Sequence, residues 1–93
     1  MTDGPITLTV LTQEGLAFEE SASSIVAPGE VGYLGILRNH APLVTTLKPG
    51  ELTWRGTNGQ RQTRHIGEGL LEIVQNRCTI LTSRIEESPA ASP

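Results

Sequence analysis

Ile6-Thr7-Leu8-Thr9-Val10-Leu11-Thr12 sets Ile6, Leu8 and Val10 on one side of the chain and Thr7 and Thr9 on the other. A period of two is the pattern of a β-strand with one buried face. Gln13-Glu14-Gly15 follows as a turn whose glycine tolerates positive φ, so residues 16–19 read as the returning arm of a hairpin. Residues 24–27 read as a further strand, closed by Pro28-Gly29. Farther along, Glu51-Leu52-Thr53-Trp54-Arg55 puts Leu52 and Trp54 on one face and marks Trp54 as the largest core residue. Asn58-Gly59 is the strongest hairpin signal, because both residues tolerate the positive φ of a type I′ turn. Residues 60–65 are polar at nearly every position and read as an arm with a solvated face or at a sheet edge. Residues 70–74 and 78–82, joined at Gln75-Asn76-Arg77, form the last hairpin, with Ile73, Ile80 and Leu81 as its buried positions.

Val, Ile and Thr make up 23 of the 93 residues, and ten Gly and six Pro accompany them. This is the composition of short β-branched strands cut by turns. The spacing of turn signals predicts an all-β fold, an antiparallel β-sandwich or flattened barrel of about ten short strands. One domain is expected over residues 1–84, with a disordered, patternless tail over residues 85–93. The stretch from 29 to 42 carries Gly29, Gly32 and Gly35 and is expected to be a shaped loop with short strand pieces.

Composition also excludes several function classes. The net charge is −3 and the only lysine is Lys48, so no basic cluster could release counterions from a nucleic acid. The longest apolar run, residues 31–37, is far shorter than the roughly 20 residues of a spanning helix. The start Met1-Thr2-Asp3-Gly4-Pro5 has no basic or apolar targeting pattern, which points to cytosolic synthesis and residence. A lone Cys78 makes no internal disulfide and reads as a small apolar strand residue.

Catalytic patterns are missing as well. Lys48 is followed by Pro49, which rules out a phosphate-binding G-x-x-x-x-G-K-[ST] loop. Gly67-Glu68-Gly69 opens like a dinucleotide fingerprint, but Glu72 stands at its third glycine. His40, His65 and Cys78 are too widely spaced for a zinc motif, and Asp3 is the only aspartate for a Ser-His-Asp relay. Glu19-Glu20 and Glu86-Glu87 are adjacent carboxylates, which on a strand point to opposite faces. No catalytic, cofactor-binding or metal-binding residue is expected, and a binding or structural domain is.

Gly29-Glu30-Val31-Gly32-Tyr33-Leu34-Gly35-Ile36-Leu37-Arg38-Asn39-His40-Ala41-Pro42-Leu43, with Leu47-Lys48-Pro49-Gly50 after it, resembles the epsilon subunit of bacterial F-type ATP synthase. Gly67-Glu68-Gly69-Leu70-Leu71-Glu72-Ile73 and Asn76-Arg77-Cys78-Thr79-Ile80-Leu81 match the family's last two sandwich strands, and the resemblance covers residues 5–83. It implies a β-sandwich that catalyses nothing itself. Such a subunit sits at the foot of the central stalk, peripheral to the cytoplasmic face of the bacterial membrane. There it links the gamma subunit to the membrane rotor ring and couples ion translocation to ATP synthesis or hydrolysis. The resemblance places the ring-facing loop on Glu30, Val31, Gly32, Tyr33 and Leu34, and the gamma-facing segment on Asn39, His40, Ala41, Pro42, Leu43, Val44 and Thr45. Tyr33 stands where the family often has a polar or acidic residue, and Arg38 where it usually has proline. Typical members continue into a C-terminal helical hairpin that restrains hydrolysis and in some bacteria binds ATP. Residues 86–93 have no helical periodicity, so a form without that hairpin is expected, either naturally short, which the patternless tail favours, or cut from a longer protein, with no ATP site and no cofactor. The competing reading is an unrelated β-sandwich module for a small ligand, for which Phe18, Tyr33 and Trp54 are the only aromatic side chains.

Overall fold

The computed structural model describes residues 4–87. Within them nine strands follow one another without a helix: β1 (Ile6–Thr12), β2 (Gly15–Gly29), β3 (Gly32–Leu37), β4 (Leu43–Leu47), β5 (Gly50–Gly56), β6 (Arg61–Ile66), β7 (Gly69–Val74), β8 (Arg77–Thr82) and β9 (Ile85–Glu87). The alternation in β1 works as the sequence implies: Ile6, Leu8 and Val10 are fully buried, and the threonines between them are not. Their partners inside are Ile25, Ile36, Leu52, Ile66, Leu71, Ile73 and Ile80, with Trp54 the largest at 1% exposure. Each such aliphatic side chain contributes roughly 1.5–3 kcal/mol through removal from water. Most of the sum is offset by the conformational entropy lost on folding.

Residues 16–19 and 24–27 belong to one strand, not two. β2 runs unbroken for 15 residues and changes partners along the way. Its first half pairs with β1, from Thr12↔Gly15 to Ile6↔Ala22, and its second half pairs with β3 on the same edge. The opposite edge takes β5 from Ala22↔Gly56 to Val26↔Thr53, with a register shift between Ala22 and Ser24. A bulge bends a strand and raises its local twist, and here it carries β2 from one layer into the other. One layer is β4-β7-β8-β1 with the first half of β2, and the other is β3, the second half of β2, β5, β6 and β9. Gly29↔Leu47 joins β2 to β4, so strand pairing runs from layer to layer and the sandwich is also a flattened barrel. Counting the halves of β2 separately recovers the expected strand number. Among the described residues every pairing is antiparallel except β1 with β8, which is parallel. No tight turn links those two strands, so none forces them antiparallel.

Four local expectations change. Residues 29–42 hold a regular strand, β3, whose hairpin with β2 turns at Glu30-Val31. Ile85–Glu87, assigned to the tail, adds to β6 as β9 through Arg64↔Glu87, His65↔Glu86 and Ile66↔Ile85, which covers the outer edge of β6 at residues 64–66. Residues 1–3 and 88–93 lie outside the described residues. Leu81 is 48% exposed, because its neighbour Ile80 takes the inward position and successive strand residues point to opposite faces. The type I′ turn is found at Gln75-Asn76, with φ of 48° and 62°. At Asn58-Gly59 only Gly59 has positive φ, 88°, and Gly59 N–H donates to Gly56 O at 2.9 Å. That geometry is a type I turn closed by a glycine bulge. Asn58 Oδ1 favours it by accepting the Gln60 N–H at 3.0 Å.

The segment that resembles a dinucleotide fingerprint is instead stitched to the end of β8. Gly67 N–H donates to Arg84 O and Ser83 N–H to Glu68 O, both at 3.0 Å, and the buried Thr82 hydroxyl donates to Gly67 O at 2.9 Å. A β-carbon on Gly69 would collide with the Leu81 carbonyl, so this glycine permits a close backbone approach. Gly69→Ala is therefore expected to destabilise the fold by about 1–3 kcal/mol, the usual range for overpacking. A urea denaturation midpoint compared with wild type measures the loss. A second prediction concerns Cys78, whose burial pushes the thiol from its ordinary 9.0 up to about 12. In the unfolded chain the proton leaves above about pH 9, whereas the folded chain keeps it until about pH 12. Stability is thus expected to fall between those limits, and Cys78→Ala to flatten that alkaline slope in pH-dependent denaturation.

Candidate interaction surface

The hairpin between β2 and β3 presents Glu30 to Leu34. Its tip is tight because Gly29 and Gly32 pair across two residues, and Gly32 takes φ of 146°. A β-carbon on Gly29 would lie 2.8 Å from Gly32 O and 2.7 Å from Leu34 Cδ2, which only glycine avoids. Val31 at the apex is fully exposed, and Gly32 and Tyr33 are exposed too. Leu34 turns inward and packs against the core. Two side chains hold the tip to the body. Glu30 Oε1 accepts from the Thr46 hydroxyl at 2.9 Å, and the Tyr33 hydroxyl oxygen accepts from Glu51 N–H at 3.2 Å. Tyr33 is therefore a brace from the tip to β5 as well as a surface side chain.

Asn39 to Thr45 follows from the end of β3 into β4. Asn39 has φ of 65°, a left-handed conformation that asparagine tolerates better than most residues. His40 is half-buried, and its Nδ1 carries the proton it donates to Ala41 O at 2.7 Å. Ala41 and Pro42 are exposed, Leu43 packs on the core, and Val44 is 67% exposed. β4 pairs with β7 along its length, from Leu43↔Ile73 to Leu47↔Gly69.

The structure brings parts of the two segments together. A depression of about 350 Å³ between β3 and β4 is lined by Gly29, all five residues from Glu30 to Leu34, and Leu43 and Thr45. Asn39 opens instead onto a separate hollow with Ser23, Leu37 and Arg38. Sequence reasoning missed Thr46 and Glu51, whose contacts hold the tip, and Asn76, which meets Asn39. The one signal in the chain was an asparagine without glycine in a two-residue turn at residue 76. Two of the three aromatic side chains are engaged with each other: half-buried Phe18 stacks on buried Trp54 at 4.9 Å between centroids, and Arg64 lies over Trp54 at 5.6 Å. Tyr33 is the aromatic left at this depression. Among the described residues no group of three or more His, Cys, Asp or Glu is placed to hold a metal ion.

Residues 5–88 match the family model described as ATP synthase, Delta/Epsilon chain, beta-sandwich domain. The chain is 38% identical over 84 residues to the ATP synthase epsilon chain of Chloroflexus aurantiacus, covering 90% of this chain and 60% of that one. It is 35% identical over 83 residues to the ATP synthase epsilon chain of Moorella thermoacetica, covering 89% and 62% respectively. The chain thus spans about 60% of the length of these curated relatives. Among solved structures, a chain of the Euglena gracilis mitochondrial ATP synthase, in an OSCP/F1/c-ring structure, shares the fold. Its TM-score is 0.85 at 23% identity, over 91% of this chain and 54% of that one. A chain of the Tetrahymena thermophila mitochondrial ATP synthase, in a central stalk/c-ring structure, superposes with a TM-score of 0.76 at 18% identity, over 94% and 69%. With nine strands among the described residues, a glycine-built tip and a family match over nearly its whole length, the chain belongs to the ATP synthase delta/epsilon family, as the β-sandwich domain.

Proposed function

We propose that this chain is a non-catalytic central-stalk subunit of an F-type ATP synthase, linking the gamma subunit to the membrane rotor ring. In that role it couples ion translocation to ATP synthesis or hydrolysis, from a peripheral position on the cytoplasmic face of a bacterial membrane. The observation that carries the reading is the pairing of two exposed, braced segments along one side of a packed sandwich. Glu30, Val31, Gly32, Tyr33 and Leu34 meet the ring. Asn39, His40, Ala41, Pro42, Leu43, Val44 and Thr45 meet gamma. Two likenesses support the assignment: the curated relatives are ATP synthase epsilon chains, and the Tetrahymena chain comes from a central stalk with its c-ring. Close packing suits the task, since interiors at crystal-like density have low compressibility and transmit strain. This reading calls for no cofactor and no nucleic-acid partner.

The two surfaces are separable by mutation. His40→Asp with Pro42→Gly damages the centre of the gamma-facing segment, and such changes typically cost more than about 1 kcal/mol. Pull-down with purified gamma is expected to weaken by about fivefold or more, and unchanged binding would put the contact elsewhere. Val31→Asp at the exposed apex is expected to leave gamma binding intact while reducing recovery of the purified rotor ring with the gamma complex. Equal loss at both partners would contradict the division of the surface.

A further inference from the structure

The Asn76 carboxamide reaches from the body of the sandwich into the proposed gamma-facing segment. Asn76 sits in the β7–β8 turn and is only 5% exposed. Its Oδ1 accepts the Asn39 N–H at 2.6 Å, and its Nδ2 donates to Asn39 Oδ1 at 3.2 Å. Its own carbonyl accepts the Thr7 N–H at 2.8 Å, at the start of β1. Both asparagines have left-handed backbones, with φ of 65° at Asn39 and 62° at Asn76. An L-residue leaves that region readily unless its surroundings hold it there. Asn39 is the first residue of the segment, so its φ sets the direction in which His40 and Pro42 leave the body.

From this geometry we infer that Asn76 is a positioning residue for partner binding. Its side-chain amide, 37 residues away in sequence, clamps Asn39 in the left-handed conformation and so presents His40, Ala41 and Pro42 in a fixed orientation. The inference rests on the gamma-facing reading of residues 39–45. Pre-organised segments bind more tightly because the ordering cost has already been met in the free protein. Removing the clamp loosens the segment and leaves the β7–β8 turn intact, provided the replacement accepts positive φ.

Asn76→Gly meets that condition, since glycine tolerates the turn and carries no amide. Asn76→Asp is the conservative counterpart: it keeps an acceptor for the Asn39 N–H, and the Asn39 carboxamide turns over to donate its Nδ2 to the second carboxylate oxygen. In the full chain, hydrogen exchange at the Asn39 amide is expected to accelerate about tenfold or more with Gly and to stay near wild type with Asp. Binding to purified gamma, measured well below the melting temperature of every variant, is expected to weaken several-fold with Gly and to recover with Asp. A purely structural role would lower the melting temperature without changing affinity under those conditions. Unchanged exchange at Asn39 would overturn the clamp. Faster exchange with undiminished gamma binding would overturn its positioning role alone. If wild type itself fails to bind gamma, the rotor reading falls and takes the positioning role with it, while the exchange result still decides whether the clamp exists.

Discussion

The hydrogen bonding of β2 on both of its edges is the constraint on which the rest depends. Ala22 pairs with Ile6 on one side and Gly56 on the other, and Val26 pairs with Gly35 and Thr53. A strand shared in this way cannot slide without breaking ladders in both layers. The bulge beside Ser23 lets one strand serve both while keeping its buried residues inward. Ser23 supports the bend, donating from its hydroxyl to Arg55 O at 3.3 Å. Ala22, Ile25 and Ala27 are buried on either side of the bulge, so the bend redirects the strand without exposing the core.

Both proposed contact segments follow from the end of this shared strand. The tip at Glu30-Val31 is its direct continuation, and β3 leads back from it to Asn39. Outside the ladders the backbone is held by side chains: Glu30 to Thr46, Tyr33 to Glu51, and Asn39 to Asn76. These bonds are individually modest, about 1 kcal/mol each. Acting together on a short stretch, they give the surface a shape that the strand ladders alone would not. None of the bonds lies in a deep cleft, which suits contact with large partners rather than capture of a small ligand.

Much of this was legible in the residues. The alternation in β1, the burial of Trp54, the last hairpin and the family motif around Gly29 to Gly50 all reflect short-range rules. The errors were also short-range readings, each overruled by a side chain or strand that the local pattern does not show. Residues 60–65 read as a solvated face or an edge because they are polar, yet β9 pairs with the last of them, Arg64 and His65. Asn58-Gly59 has the residues for a type I′ turn, but the Asn58 side chain caps a different one. Leu81 is apolar and points outward, since Ile80 took the inward place.

By itself the sequence determined most of the inward-facing positions, where the chain must turn, and which family it resembles. These are local properties, governed by the alternation of Cβ directions and by which residues accept a given φ. Only the tertiary structure decided that β2 is one strand serving two layers, that β1 lies parallel to β8, and that Asn39 meets Asn76. Such pairings join residues far apart along the chain. Their choice depends on how the whole core closes, which no local window of residues contains.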